Sequence, residues 1–218
     1  KAGLRLSFIP YATSRVIKDT EAGHPVSWKW NAGFDTKMIL STSMNLDLTV
    51  NPDYSQVEED RQQTNLDRFE LFYPERRQFF LENSDLFANL RNSQAQPFFS
   101  RRIGLNVPVN FGGRLTGRIG NKWRIGMMDI QTGSKGDYLS SNYAVAVLQR
   151  EIFSRSSIVG FLVNKEITQS YSDAEFTGYR YNRVAGLEYN FATADNRWQG
   201  KAFWHQSFYP GADRNAAA

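Results

Sequence analysis

The sequence contains no cysteine among its 218 residues, which excludes disulfide bridges and thiolate metal sites. It also lacks any run of about 18 to 20 apolar residues, the length that a membrane-spanning helix needs. The 26 Lys and Arg residues are scattered among 22 Asp and Glu residues, and no basic block is present. We therefore expect no nucleic-acid partner, and no motif predicts a cofactor or a metal site.

Apolar and polar residues alternate with a period of two in segments of about ten residues. In "NLDLTVN", Leu46, Leu48 and Val50 lie opposite Asp47 and Thr49. The same alternation occurs in "WNAGFDTKMIL", "NFGGRLTGRI" and "YNRVAGLEYNF". Because successive side chains on a strand point to opposite faces, these segments predict sheets with one apolar and one polar face.

The lengths of the connections discriminate between all-β folds. Short turns fall at 41–44, 120–121, 153–156 and 192–196, and long polar connections at 18–27, 132–141 and 165–178. Regular alternation of short and long connections is typical of an antiparallel transmembrane β-barrel with tight periplasmic turns. Residues near strand ends that suit an aromatic girdle are Trp28, Trp30, Tyr143, Trp198, Trp204 and Tyr209. A soluble antiparallel sandwich or barrel is the alternative.

In a barrel, the polar face of the strands would line the lumen. The charged residues predicted there are Asp35, Lys37, Asp47, Arg114, Arg118 and Glu188. Mixed charges on neighbouring strands favour a ladder of ion pairs, with a selective solute path as the alternative.

Residues 51–96 interrupt the alternation with a mixture of acids, arginines and aromatics. "NPDYSQVEED" begins with a turn, "NLDRFELFY" alternates like a strand, and "PERRQFFLENSDLFANL" predicts a short helix or two turns that begin at Pro74. After this insertion, "PFFSRRIGL" predicts a further strand.

Four motifs in order resemble a poorly characterised family of Bacteroidota-type outer-membrane proteins. They are "LDLTVNPDYSQVEED", "NLDRFELFYPERRQFFLENSDLF", "FFSRRIG" and "GGRLTGRIG", within residues 33–120. The sequence departs from the family pattern at Tyr54 and Tyr73, where phenylalanine is common, and at Gln78, where proline is common. The resemblance implies a bacterial outer-membrane location. It also implies full-length proteins with an N-terminal carbohydrate-binding-like domain before the barrel, and it implies no reaction.

We expect the insertion to act as a plug against the lumen or a barrel mouth, with a ligand or partner site as the alternative. Phe79, Phe80 and Phe87 would form an apolar cluster. Acids and arginines of the insertion would pair with lumen charges such as Arg101 or Arg102, because the guanidinium fork can hold two carboxylate oxygens. The ion-pair candidates are Glu70, Glu75, Arg76, Arg77, Glu82, Arg101 and Arg102.

No catalytic constellation is convincing. The acids near Asp53 fit no EF-hand spacing, and ion pairing accounts for Glu70, Glu75 and Glu82 better than glycoside hydrolysis. His205 and Ser207 repeat the His-x-Ser spacing of outer-membrane phospholipases, but they share the polar side with Lys201, whereas a lipase needs its nucleophile toward lipid.

The sequence thus predicts that residues 1–218 form part of a larger all-β antiparallel outer-membrane barrel with a plug-like insertion. Its expected function is binding, transport or scaffolding at the cell surface, with a possible link to glycans that rests on the resemblance. Expected partners are outer-membrane lipid and lipoprotein subunits. The alternatives are an outer-membrane lipase or glycan hydrolase and a soluble β-sandwich binding module.

Overall fold

The fold is a single antiparallel sheet of nine strands in the order β1 to β9, each hydrogen-bonded to its neighbours in sequence. The computed structural model describes residues 5–18, 26–54, 74–90, 96–170 and 178–210. The strands are β1 (Arg5–Ile17), β2 (Ser27–Ser41), β3 (Met44–Val50), β4 (Val109–Ile119), β5 (Trp123–Thr132), β6 (Ser141–Ile152), β7 (Ser156–Ile167), β8 (Tyr181–Ala192) and β9 (Gln199–Phe208). The prediction of an all-β antiparallel fold is confirmed.

The connections alternate in length as the sequence predicts. Two residues join β2 to β3, and three residues join both β4 to β5 and β6 to β7. In the β4–β5 turn, Gly120 adopts φ +61°, a left-handed conformation that a side chain would disfavour. The connections at 133–140 and 168–180 are longer, so the strand ends divide into a short-turn end and a long-connection end.

Strand register gives the sheet an apolar and a mixed face. Met38, Leu46, Leu115 and Met127 are successive partners from β2 to β5; we call the face that they share the outer face. Lys37, Asp47 and Arg114 likewise follow one another across β2, β3 and β4 on the opposite, inner face. The predicted facial alternation is confirmed, because pairing keeps directly opposed residues on one side.

The buried core lies between the inner face and the connection from β3 to β4. We call residues 74–90 and 96–108, which make up most of the described part of that connection, the covering segment. It contains the short helices α1 (Gln78–Leu81) and α2 (Asp85–Ala88). Its buried side chains Phe80, Leu86, Phe87, Leu90, Phe98 and Ile103 pack with buried residues of β4 to β7, among them Met128, Ile130, Val145, Val147, Val159 and Phe161.

Two details of the covering segment differ from the sequence predictions. The helix begins at Gln78 and not at Pro74. The strand predicted for "PFFSRRIGL" is wrong, because residues Ser100–Arg102 form a 3-10 turn. Because of this turn, both Phe98 and Ile103 pack against the inner face. In an extended strand, positions 98 and 103 would point to opposite sides.

The sheet is open within the described residues. There β1 pairs only with β2 and β9 only with β8, so closure into a barrel stays a prediction. No helix in the described part of the chain is long and apolar enough to cross a membrane.

Candidate functional site

Ion pairs hold the covering segment to the inner face near β2 to β4. Arg114 is only 1% exposed; its Nη2 lies 2.8 Å from Oδ2 of Asp47 and 3.8 Å from Oε2 of Glu82. Its Nη1 donates to the backbone oxygen of Glu82, and Lys37 forms an ion pair with the Glu82 carboxylate. Glu82 therefore connects the covering segment to both β2 and β4.

Further anchors lie on the strands beyond β4. Arg124 of β5 lies 2.7 Å from Oδ2 of Asp85, which is in the first turn of α2. Lys201 of β9 donates to the backbone oxygen of Asn89 at 2.9 Å. The covering segment thus contacts the sheet from β2 to β9.

A second polar cluster holds the two parts of the covering segment together. Glu75 accepts from Arg77 through Nε at 2.9 Å and Nη2 at 2.8 Å, and from the Ser100 hydroxyl at 2.7 Å. Arg77 also donates to the backbone oxygens of Ser100 and Ile103. Burial alone would raise the pKa of the Glu75 carboxyl, but the Arg77 and Ser100 interactions outweigh it and hold that pKa below its ordinary value.

The ion-pair candidates predicted from sequence therefore divide into groups. The structure places Glu82 beside Lys37 and Arg114, and Glu75 beside Arg77, where the sequence suggested Arg101 or Arg102 as partners. Arg76, Arg101 and Arg102 lie in or next to the covering segment and have interactions of their own. Glu70 lies outside the described residues.

A cavity of about 390 Å³ opens between the covering segment and β6 to β9. The covering segment contributes Gln96, Pro97, Phe98, Phe99, Arg102 and Ile103, and the strands contribute Tyr143, Val163, Lys165, Asn182, Val184, His205 and Ser207. Its volume falls within the range of about 300 to 1,000 Å³ that is usual for small-molecule sites.

Tyr143 belongs to this cavity and not to an outward girdle, so its predicted place is wrong. It lies two residues before the buried Val145 and pairs with Ile130 and Lys165 on the inner face. The position of Tyr143 near a strand end suggested the girdle. Tyr143 lies two and four residues before Val145 and Val147, so the three side chains share one face of β6, and this spacing was the sequence signal for the inner face.

His205 is buried on β9 beside a carboxylate. Its Nε2 lies 3.0 Å from Oε1 of Glu188, whose Oε2 lies 2.8 Å from Nζ of Lys201. The rings of Phe161 and Phe203 pack against the imidazole, each with a centroid distance of 5.0 Å. This arrangement fixes His205 as part of the inner face, on the side that the sequence predicts for it.

Among the described residues, no group of three or more His, Asp or Glu side chains could hold a metal ion. Glu75 and Glu82 are engaged with arginine and lysine partners, so neither is placed as a general acid or base. The inner face carries the buried apolar core, the ion pairs and the cavity.

A comparison with known families finds a match in the first half of the chain, where the four motifs lie. Residues 2–117 match the family described as a domain of unknown function, DUF5916. The chain belongs to the DUF5916 family. No curated protein and no solved structure is detectably similar to it.

The DUF5916 match covers β1 to β3, the covering segment and all but the last residues of β4. The matched residues thus include all three members of the Lys37–Glu82–Arg114 ion-pair group. The strand wall of the cavity, from Tyr143 to Ser207, lies beyond the matched residues. Sequence reasoning missed this cavity because its two walls are far apart in the chain.

Proposed function

We propose that this chain is part of an outer-membrane β-barrel that binds or transports solutes at the bacterial cell surface, with the covering segment as its plug. The observation that carries the proposal is the outer face, which is apolar and solvent-exposed across the sheet. Its exposed residues include Leu6, Phe8, Leu48, Val50, Phe111, Met127, Leu148, Leu162, Leu187 and Trp204.

The size of the outer face supports contact with lipid. Nine strands about 4.8 Å apart, with an apolar stretch of about six residues at about 3.3 Å each, give a face on the order of 800 Å². Soluble monomers rarely expose a contiguous apolar patch larger than a few hundred Å². Eight of the nine strands have ten residues or more, and a strand needs about 9 to 11 to cross a bilayer.

The ends of the outer face also suit a bilayer. Toward the long-connection end, the apolar residues give way to a polar row in which Asp129, Ala144, Asn164 and Arg183 are successive partners. Arg183 donates to Asn164 at 2.8 Å, which satisfies part of this row. Aromatic residues with polar atoms prefer the headgroup depth of a membrane, and those exposed near strand ends include Trp28, Trp30, Trp123 and Tyr189.

Closure requires partners for the edges of β1 and β9, because unpaired backbone groups are strongly unfavourable in lipid. Lys37 of β2 and Lys201 of β9 both contact the covering segment, an arrangement that suits a sheet curved around it. We propose that further strands of the barrel occupy the gap. Lipoprotein subunits and a glycan ligand remain part of this proposal through the resemblance of residues 33–120.

The test of the location is fractionation of the full-length protein, followed by electrophoresis in mild detergent with and without heating. We expect a membrane-bound species that migrates faster before boiling, since a closed barrel stays compact. A soluble protein with no heat-dependent shift would overturn the proposal and favour the soluble binding module.

The test of the plug is conductance in planar bilayers. Glu82→Gln removes the charge that pairs with Lys37 and Arg114, so we expect the covering segment to leave the lumen more often and channel openings to become more frequent. Glu151→Gln, which affects only the exposed pair with Arg118 at 3.6 Å, is the matched control. Equal conductance in both variants would exclude the covering segment as a gate held by Glu82.

A further inference from the structure

The cavity between the covering segment and β6 to β9 has a chemistry that neither the barrel fold nor the plug requires. Strand register places Tyr143, Lys165 and Asn182 in one row across β6, β7 and β8. In the next row, Val163, Val184 and Ser207 follow one another across β7, β8 and β9. A polar rim thus lies next to a more apolar floor.

Two cationic side chains line this cavity, Lys165 from β7 and Arg102 from the covering segment. The Lys165 ammonium lies 5.6 Å from the centroid of the Tyr143 ring, and among the described residues no carboxylate lies within ion-pair distance of it. The described lining contains no Asp or Glu. A negatively charged group in the cavity would be attracted by both cations.

Two polar atoms of the lining are buried without a hydrogen-bond partner in the described part of the chain, Oε1 of Gln96 and Nδ1 of His205. The Gln96 amide is oriented because its Nε2 donates to the Phe98 oxygen at 3.2 Å. His205 is 4% exposed, and its Nε2 is engaged with Glu188. A buried polar atom without a hydrogen-bond partner is unfavourable, so hydroxyl groups on a ligand, which both donate and accept, would stabilise both positions.

The remaining lining suits a compact ring. Phe98, Phe99 and Tyr143 supply aromatic surface, and Val163 and Val184 supply aliphatic surface. A few polar groups on a mostly apolar wall are typical of sites that orient a small molecule.

We propose that this cavity binds a small hydroxylated carboxylate of about the size of one sugar acid. Lys165 holds the carboxylate, and Oε1 of Gln96 and Nδ1 of His205 form hydrogen bonds with its hydroxyl groups. This inference rests on the solute-binding part of the proposed function and names the chemical class of the solute; the cavity itself lies on the inner face whether or not the outer face contacts lipid.

The test is calorimetric titration of the full-length protein in mild detergent with glucuronate, glucose and inorganic phosphate. Glucuronate and glucose have the same hydroxylated ring, but glucuronate carries a carboxylate in place of the hydroxymethyl group of glucose. We expect glucuronate to bind at least about tenfold more tightly than glucose, as charge-assisted hydrogen bonds allow. We also expect phosphate, which lacks the hydroxylated ring, to bind more weakly than glucuronate.

Variants of the chain localise the binding. Lys165→Gln should weaken glucuronate binding about tenfold or more, and Lys165→Arg should retain most of it. Lys29→Gln, the same change on β2 far from the cavity, should have no effect. Asn182→Trp introduces bulk at an exposed position of the rim and should block binding without altering the charge.

The proposal is overturned if glucose binds as well as glucuronate, or if phosphate binds as tightly. It is also overturned if neither Lys165→Gln nor Asn182→Trp weakens glucuronate binding, or if no binding is detected. Because circular dichroism and the heat-shift gel report folding and barrel closure separately, failure of this site is distinguishable from failure of the membrane assignment.

Discussion

Replacing Arg114 with leucine should destabilise the protein more than any other single charge removal on the inner face. Arg114 is almost completely buried, and its partner Asp47 is 8% exposed. The substitution leaves the Asp47 carboxylate buried beside an apolar side chain. It also removes the donor to the Glu82 backbone oxygen. Loss of one partner of a buried ion pair typically lowers the free energy of unfolding by about 3 to 5 kcal/mol.

Urea unfolding in detergent, followed by tryptophan fluorescence, measures this loss. With a denaturant dependence of roughly 2 kcal/mol per molar urea, the midpoint should fall by about 1.5 to 2.5 M. Arg118→Leu is the matched control on the same strand and face. Its pair with Glu151 is half-exposed, so we expect a change below about 1 kcal/mol.

The double variant Arg114→Leu with Asp47→Leu separates the ion pair from general packing. Because a buried pair can often be replaced by apolar residues without loss, the double variant should regain most of the stability that the single variant loses. The reasoning is refuted if Arg114→Leu changes the unfolding free energy by less than about 1 kcal/mol. It is also refuted if the losses from the two single variants simply add.

Three further predictions concern acid stability, core packing and depth in the bilayer. The pKa of Glu75 is lower in the folded protein than in the unfolded chain. Its ionised carboxylate therefore stabilises the fold at a pH above the unfolded-state pKa, and this contribution is lost as the pH falls through the folded-state pKa. Glu75→Gln removes the contribution, so the variant should lose less stability than the parent protein on acidification below about pH 4.5. Gly126→Val should destabilise the protein by about 1 to 3 kcal/mol through overpacking, since a Cβ there would lie 3.0 Å from the Phe87 ring. Leu162→Arg should lower the stability in lipid vesicles by about 2 to 4 kcal/mol, and Ala144→Arg, in the polar row, by about 0 to 1, because the cost of a charge depends on its depth in the bilayer.

Each of these outcomes has a control or a contrary result. Gly113→Val is the matched change on the outer face, where a Cβ meets only the flexible end of Leu48 at 3.3 Å; a loss equal to that of Gly126→Val would contradict the packing account. An unchanged acid profile in Glu75→Gln would mean that other carboxyl groups govern acid unfolding. Equal effects of Leu162→Arg and Ala144→Arg in vesicles would contradict the proposed membrane boundary.

The strands and their faces follow from local pattern, whereas the sites do not. Period-two alternation places Asp47 and Arg114 on one face because each strand has a polar and an apolar side, and hairpin connections leave adjacent strands as neighbours. The 3-10 turn at Ser100–Arg102 was not predictable from the apolar residues on either side of it, since it is packing against the inner face that places Phe98 and Ile103 on the same side. Local sequence carries no such information.

The cavity depends on long-range register. Lys165 lies next to Tyr143 because of the pairing of β6 with β7, and both line a cavity with Arg102 because the covering segment folds back over the sheet. The alternation along β6 places Tyr143 on the same face as Val145 and Val147, so its position on the inner face was predictable from the sequence. The approach of Arg102 and Gln96 to β7 depends on packing that no local pattern encodes.

The most direct test of lipid contact uses the absence of native cysteine. Single cysteines at Met127 and Leu162 on the outer face, and at Met128 and Phe161 on the inner face, would carry a fluorophore in protein reconstituted into vesicles. Lipid-borne quenchers should quench the first two labels strongly and the second two weakly, with the signal alternating along each strand. If the outer-face labels are quenched by aqueous iodide and not by the lipid-borne quencher, the outer face does not contact lipid and the barrel assignment is wrong.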